Sequence, residues 1–309
     1  MLTGWGILST ANINRHVLEG ARLSDRVEVV AVGSRDRTRA EAYAREHGIP
    51  RAHGSYDELL ADDGFEAVYI SLPNSLHHEW TLRALAAGKH VLCEKPYTRR
   101  SAEVDEAFNL AESNGLVLSE AFMWRHNPQT ARFVELLPEI GELQTIRATF
   151  AFRLGVEGDV RLSAELDGGA LMDVGCYCVS GARLLAGEPE RVRGEQVVGP
   201  SGVDVRFTGT LRFPRDVLAE FTCSFTYDHR GLEAIGTEGT LSAADPWHCK
   251  DGLILLNGRE ERVTPKNSYK LELENISAAI HGEAPLLLGR EDASAQARAI
   301  EALYASADV

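Results

Sequence analysis

Little in this sequence could build a covalent or metal framework. Its 309 residues include only five cysteines, scattered and odd in number, and Cys176 and Cys178 stand too close together for a zinc ribbon. They read as reduced core thiols, the usage of a cytoplasmic protein. Neither His77-His78-Glu79 nor any other cluster has a metal-ligand spacing, so no metal site is expected. Long apolar runs are missing as well, none approaching the ~20 residues of a membrane-spanning helix. The amino terminus, Met1-Leu2-Thr3-Gly4-Trp5-Gly6, enters an apolar run directly, with no basic stretch or cleavage site before it. Basic residues are in the minority, 32 Lys and Arg against 46 Asp and Glu, and the net charge of -14 argues against nucleic acid as a partner. Repeats and low-complexity linkers are also lacking. These absences leave a soluble globular chain, 44% hydrophobic and 25% charged, long enough for two domains.

What is present is an alternation of periods. Strands are expected at Leu2–Leu8, Val27–Gly33, Ala67–Leu72, His90–Cys93 and Leu116–Ser119. Between them, Ile13–Leu23, Thr38–His47, Tyr56–Ala61, Leu76–Ala87 and Ser101–Ser113 carry helical patterning. This alternation implies βαβ units and a parallel, doubly wound sheet of the Rossmann kind. After residue 122 long alternating segments take over, at Leu143–Leu154, Arg191–Val198, Val203–Phe213, Val217–Tyr227 and Leu232–Leu241. They predict a large open, mainly antiparallel sheet in an α/β domain, interrupted by a helical run from Gly168 to Leu185 and followed by helices near Leu271–His281 and Asp292–Ser306. The expected division is a dinucleotide-binding domain over 1–122 and a second domain, for substrate and dimerisation, over 123–309.

Chemistry is expected at the carboxyl ends of the parallel strands, where such sheets bind ligands. In the first turn, Ser9 and Ala11 occupy the places of the first two glycines of a dinucleotide fingerprint, and the amides of Ala11, Asn12 and Ile13 open a helix that attracts phosphate. After the second strand, Ser34 and Arg35 stand where an NAD enzyme has its ribose-binding acid. They suit the 2′-phosphate of NADP, whereas Asp36 turned toward the ribose would suit NAD. Asn74 or Ser75 caps the helix after Pro73, with His77 in its first turn. Glu94-Lys95-Pro96 ends a further strand, and its alternative reading is a surface turn with a fortuitous ion pair. Glu120-Ala-Phe-Met-Trp-Arg125 marks the junction between the patterns. Asp173 and Tyr177, four apart, share a helix face, an arrangement that also occurs as plain structural hydrogen bonding.

Taken in order, Asn74 to His77, Gly88 to Pro96 and Asp173-Val-Gly-Cys-Tyr177 resemble the glucose–fructose oxidoreductase/inositol dehydrogenase (Gfo/Idh/MocA) superfamily. Trp5-Gly-Ile-Leu-Ser-Thr-Ala11 and the Glu120–Arg125 run are similar to its dimeric dihydrodiol dehydrogenase and NADP-dependent D-xylose dehydrogenase branch. The resemblance covers essentially the whole chain and implies a dehydrogenase. Lys95 would be the catalytic lysine, with Asp173 and Tyr177 facing it across the nicotinamide. Ser9, Thr10, Ala11, Asn12, Ile13, Ser34, Arg35, Leu72, Asn74, His77, Glu94, Lys95, Trp124 and Arg125 would bind NADP, with NAD possible. It further implies a sugar, polyol or cyclic-diol substrate, a homo-oligomer built on the second domain's sheet, and a Lys–Pro peptide in the cis form. Many relatives have histidine at the position of Tyr177, so the mechanism expected here is a tyrosine one. A phenol with a pKa of about 10 can be brought toward neutrality by a nearby ammonium, roughly 1–3 units. Phe152, Arg153, Arg161, His248 and Tyr269, with Trp124 and Arg125, are wall candidates. The competing readings are an NAD-dependent glycoside hydrolase and a silent nucleotide sensor.

Overall fold

The computed structural model describes residues 1–155 and 158–307. The chain forms two compact units, one of residues 1–123 and 267–294, the other of residues 124–266 with the carboxyl-terminal stretch from 295.

The first unit is a parallel sheet with helices on both faces. Its elements are β1 (Thr3–Leu8), α1 (Asn14–Arg22), β2 (Val27–Gly33), α2 (Arg37–His47), β3 (Arg51–His53), α3 (Tyr56–Leu60), β4 (Ala67–Ile70), α4 (His77–Ala86), β5 (His90–Glu94), α5 (Ser101–Ser113) and β6 (Leu118–Ala121). The strand order β3-β2-β1-β4-β5-β6 is that of a doubly wound dinucleotide fold, with the order reversing between β1 and β4. Local chemistry sets the boundaries. Asp36 and Ser55 cap α2 and α3 by accepting the Arg39 and Glu58 amides. The three-residue β3 was not anticipated, being too short to show a period.

The second unit takes up α6 (Pro128–Leu136), β7 (Leu143–Ala151), α7 (Cys176–Ala186), β8 (Arg191–Val198), β9 (Asp204–Arg212), β10 (Leu218–Ser224), β11 (His229–Gly236), β12 (Thr240–Ala243), β13 (Leu253–Leu256) and β14 (Arg259–Arg262). Its eight strands run β14-β13-β12-β11-β7-β10-β9-β8, antiparallel except for the parallel pair β7 and β10. The strand expected over Leu232–Leu241 is in fact two. Gly236 and Gly239 close a hairpin between β11 and β12, the Gly236 amide donating to the Gly239 carbonyl at 2.9 Å. The β13–β14 hairpin was missed, although Asn257-Gly258 announces it. Both residues adopt positive φ (51° and 79°), as a two-residue turn between twisted strands requires.

Two helices follow, α8 (Ser268–Ile280) and α9 (Arg290–Ala307). Helix α8 belongs to the first unit. Its Leu273 and Ile276 join a core of Trp5, Ile7, Val17, Leu18, Tyr69 and Leu92, both fully buried. Burying each is worth about 1.5–3 kcal/mol, a sizeable fraction of a domain's 5–15 kcal/mol of stability. The first unit is therefore assembled from two stretches of chain that the division of the sequence at residue 122 does not join.

Candidate active site

The residues expected to bind cofactor fall mostly in the first unit, at the carboxyl edge of β1, β2, β4 and β5. Leu8 of β1 lies opposite Ile70 of β4, so Ser9 and Ser71 emerge side by side at the point where the strand order reverses. Ser9 adopts φ 132°, a region L-residues seldom enter and one that costs of order 1–3 kcal/mol. Several hydrogen bonds hold it there. Its hydroxyl donates to the Ser71 carbonyl at 3.0 Å, lies 2.8 Å from the Ser71 hydroxyl and accepts the Ala11 amide at 3.1 Å. The buried Asn14 side-chain amide donates to the Ser9 carbonyl at 2.9 Å. The serine thus takes the backbone shape of the glycine it replaces. Because the Ala11 amide is spent on Ser9, the helix-mouth donors narrow from the expected three to those of Asn12 and Ile13. Helix α1 has no side-chain cap and no acid in its first turn, so the mouth stays electropositive. These features fit a dinucleotide phosphate.

At the end of β2, Ser34 is buried and its hydroxyl accepts the Asp36 amide at 3.4 Å. The Asp36 carboxylate accepts the Arg39 amide at 3.1 Å, so it serves the helix cap. Arg37 pairs with Glu58 at 2.5 Å, whereas no carboxylate pairs with the exposed Arg35 or Arg39 among the described residues.

Beside them is the Glu94-Lys95-Pro96 corner, whose Lys95–Pro96 peptide is cis. Tyr69 donates its hydroxyl hydrogen to Glu94, and the Lys95 amide donates to the other Glu94 oxygen at 3.3 Å. His77 is completely buried, its two ring nitrogens 2.9 Å from the Pro96 carbonyl and 2.8 Å from the Leu72 carbonyl. Burial pushes its pKa down, with the Lys95 charge acting in the same direction against the carbonyl contacts. The ring is enclosed and tied to backbone, and it fixes the corner that carries Lys95. Leu72, 8% exposed, contributes its carbonyl to this clamp, while Asn74 opens a short 3-10 turn ahead of α4. Behind the corner lies an acid that sequence reasoning passed over. Glu272 of α8 is 1% exposed with one carboxyl oxygen unpartnered, and burial, with the Glu94 charge adding to it, raises its pKa well above the carboxylate range.

The second unit holds Asp173 and Tyr177. The regular helix expected from Gly168 begins instead with a π turn over Leu171–Gly175, before α7 continues. Such wide turns recur at functional sites. Gly175 makes this one possible, since a Cβ there would stand 2.7 Å from Cys223 Sγ and 2.8 Å from Leu171 Cδ1. Asp204, 3% exposed, anchors the turn by accepting the Leu171 amide at 2.7 Å and the Tyr304 hydroxyl at 2.8 Å. Burial raises its pKa to about 6, against those hydrogen bonds. Tyr177 is 8% exposed, its ring edge-on to Phe150 at 5.2 Å and to Trp247 at 6.1 Å. Asp173 accepts Arg161 Nε at 2.7 Å.

The wall candidates separate clearly. Trp124 is 1% exposed and edge-on to Trp247 at 5.2 Å. Arg125 donates to Ser180 Oγ at 3.3 Å. Tyr269 belongs to the first unit, stacked on His16 at 5.3 Å. His248 pairs with Asp245 at 2.8 Å and meets Phe150 edge-on. Phe150, which contacts Tyr177, Trp247, His248 and Arg230, is the hub that sequence reasoning missed. Its only signal was an inward position in the β7 alternation. Among the described residues no group of three His, Cys, Asp or Glu could hold a metal, and no helix is long and apolar enough to cross a membrane.

Comparison with known proteins agrees with this fold. A family model described as an oxidoreductase family with an NAD-binding Rossmann fold (GFO/IDH/MocA) matches residues 4–122, and the GFO/IDH/MocA C-terminal domain matches residues 138–242. The chain is 40% identical to a D-xylose 1-dehydrogenase (NADP(+)) of Haloferax volcanii, over 98% of this chain and 97% of that protein. It is 35% identical to the human trans-1,2-dihydrobenzene-1,2-diol dehydrogenase, over 86% and 81% respectively. Among solved structures, a 3-ketoreductase from Actinomadura kijaniata in complex with NADP and TDP-benzene superposes with a TM-score of 0.93 at 29% identity, covering 99% of this chain and 98% of that one.

Proposed function

The chain belongs to the GFO/IDH/MocA oxidoreductase family and is an NAD(P)-dependent enzyme, and from that premise we propose that it prefers NADP and oxidises a carbinol carbon of a neutral sugar or cyclic diol. The observation that carries the cofactor preference is the end of β2. Asp36 is committed to the α2 cap, while Arg35 and Arg39 present guanidinium groups that suit a 2′-phosphate. The amides of Asn12 and Ile13 take the pyrophosphate, beside Ser9, Thr10 and Ala11, with Asn74 and Glu94 toward the nicotinamide end. The similar D-xylose and dihydrodiol dehydrogenases support the substrate class. So does charge, because the arginines near Phe152 have carboxylate neighbours: Arg153 has Asp228, and Arg161 has Asp159 and Asp173. A compensated wall favours hydroxyl groups over a phosphate.

A nicotinamide cofactor held by the first unit would supply the hydride acceptor. The chain's own residues handle the proton and the charge. Tyr177 accepts the hydroxyl proton, and Lys95 stabilises the charge growing on the same oxygen and favours the phenolate. Asp173 orients the substrate. The aromatic surroundings of Tyr177 limit its rotation, so the phenol is already aimed before substrate arrives. A panel of aldoses, inositols and cyclic diols, offered with NADP and with NAD while reduced-cofactor absorbance is followed, tests the reading. Turnover with NADP on a sugar or diol is the expected result, and a strong preference for NAD would refute the role of Arg35.

The five free, buried cysteines support a cytoplasmic location. One face of the second sheet alternates toward solvent along β7 and β10, which leaves it open for the homo-oligomer this reading includes. Light scattering of the purified protein tests this, with a monomeric mass as the contrary result.

A further inference from the structure

We propose that Arg161 is a specificity-determining residue of this enzyme, one that pairs with Asp173 to recognise the hydroxyl next to the reacting carbon. This rests on the reading of Tyr177 and Asp173 above and names a finer substrate class, vicinal diols and aldoses that keep the neighbouring hydroxyl.

Arg161 is tied to the π turn twice. Its carbonyl accepts the Gly169 amide at 2.9 Å, and its side-chain Nε donates to Asp173 Oδ2 at 2.7 Å. Its Nη1 reaches the two oxygens of Asp159 at 3.2 and 3.4 Å, and the Asp159 carboxylate also accepts the Arg161 amide at 2.9 Å. The guanidinium is thus held in one plane between two half-buried carboxylates, with the Phe152 ring 6.0 Å away. The Asp173 charge, working against partial burial, raises its pKa further, so it stays cationic throughout the working range. Its third nitrogen, Nη2, has no hydrogen-bond partner among the described residues, and 40% of the side chain is exposed.

A guanidinium held by two of its nitrogens and presenting the third is a preorganised donor. The carboxylate beside it is a preorganised acceptor. A hydroxyl group both donates and accepts, so this Arg–Asp pair complements a hydroxyl in both directions. Asp173 and Tyr177 lie on successive turns, and a substrate whose reacting oxygen reaches Tyr177 presents its adjacent hydroxyl toward the pair. An apolar methylene at that position would leave the Arg161 Nη2 donor facing it without an acceptor, and that loss discriminates against it.

Two matched pairs test the assignment with the intact enzyme and NADP: D-glucose with 2-deoxy-D-glucose, and trans-cyclohexane-1,2-diol with cyclohexanol. The wild type should favour the first member of each pair in kcat/KM. In Arg161→Met, kcat/KM for the first member should fall about 10- to 100-fold and for the second less than about 3-fold, so the preference collapses. Arg161→Lys keeps the charge but not the planar fork, and it should lose the same preference at an unchanged melting temperature, which separates recognition from folding. Equal losses on both members would overturn the role of Arg161 and leave that of Tyr177 standing. A wild type that turns over none of the four compounds would overturn both.

Discussion

The corner that carries Lys95 and the turn that carries Asp173 are built by opposite means. Around Lys95 the fixing contacts are made largely to backbone: Ser9 to the Ser71 carbonyl, His77 to the Leu72 and Pro96 carbonyls, and the Lys95 amide to Glu94. Around Asp173 an ion-pair chain joins in, Arg161 lying between Asp159 and Asp173, while Asp204 on the other side accepts the Leu171 amide. These contacts run from a side chain to backbone, so only one partner of each depends on residue identity. A charge pair depends on both partners, so under the proposal above a single residue would change substrate selectivity. The comparison predicts that substitutions in the second unit alter chemistry and pH response most, and substitutions in the first alter cofactor choice.

Replacing Tyr177 with Phe is expected to have the largest effect, lowering kcat about 10²- to 10⁴-fold with the dissociation constant for NADPH unchanged. Stopped-flow turnover beside cofactor titration measures both. Near-normal turnover would reassign the acid/base role.

Asp204 gives the next effect, on stability. Its folded-state pKa of about 6 lies above the ordinary 3.8, so the folded state binds the extra proton between these values. Stability is full below about pH 3.8 as far as this group is concerned, and it declines as pH rises toward 6, by on the order of 3 kcal/mol. Asp204→Asn retains a cap for Leu171 and should flatten that decline in urea melts at pH 4 to 7. An unchanged slope would place the proton elsewhere.

In the first unit, Arg35→Ala should raise KM for NADP by about 10- to 100-fold and leave KM for NAD within 2-fold, the loss of one charge-assisted contact to phosphate. Parallel losses with both cofactors would show that the arginine serves the adenine rather than the 2′-phosphate. The smallest effect is expected for Glu272→Gln. Burial pushes this acid toward its neutral form, so an amide of the same shape should change stability at pH 7 by less than about 1 kcal/mol. A loss of several kcal/mol would mean that Glu272 carries a charge which another group balances.

How far each region could be read from sequence follows the same division. The Ser9 turn and the Lys95 corner were legible because each follows a strand whose period was plain, and strand ends in a parallel sheet are where ligands bind. The narrowing of the phosphate donors to Asn12 and Ile13 was not legible, since it depends on a hydroxyl two residues before Ala11 turning back toward its amide. The enclosure of His77 and of Trp124 was hidden for a similar reason. A residue type beside a motif says nothing of which way its ring faces. Arg161 stood among the wall candidates with no means of choosing it from Arg153, and only the fold brings it to Asp173 and leaves Arg153 on the surface with Asp228.

By itself the sequence determined the main strand and helix alternation of the first unit, its parallel dinucleotide-binding sheet and the family. Each of these is written in local periods and short motifs, which neighbouring residues impose on one another. The tertiary structure alone decided the return of α8 to the first core, the π turn under Asp173 and the clasp of Arg161 upon it. These depend on contacts between residues far apart in the chain or on a glycine pressed against another strand, and no local period records such contacts.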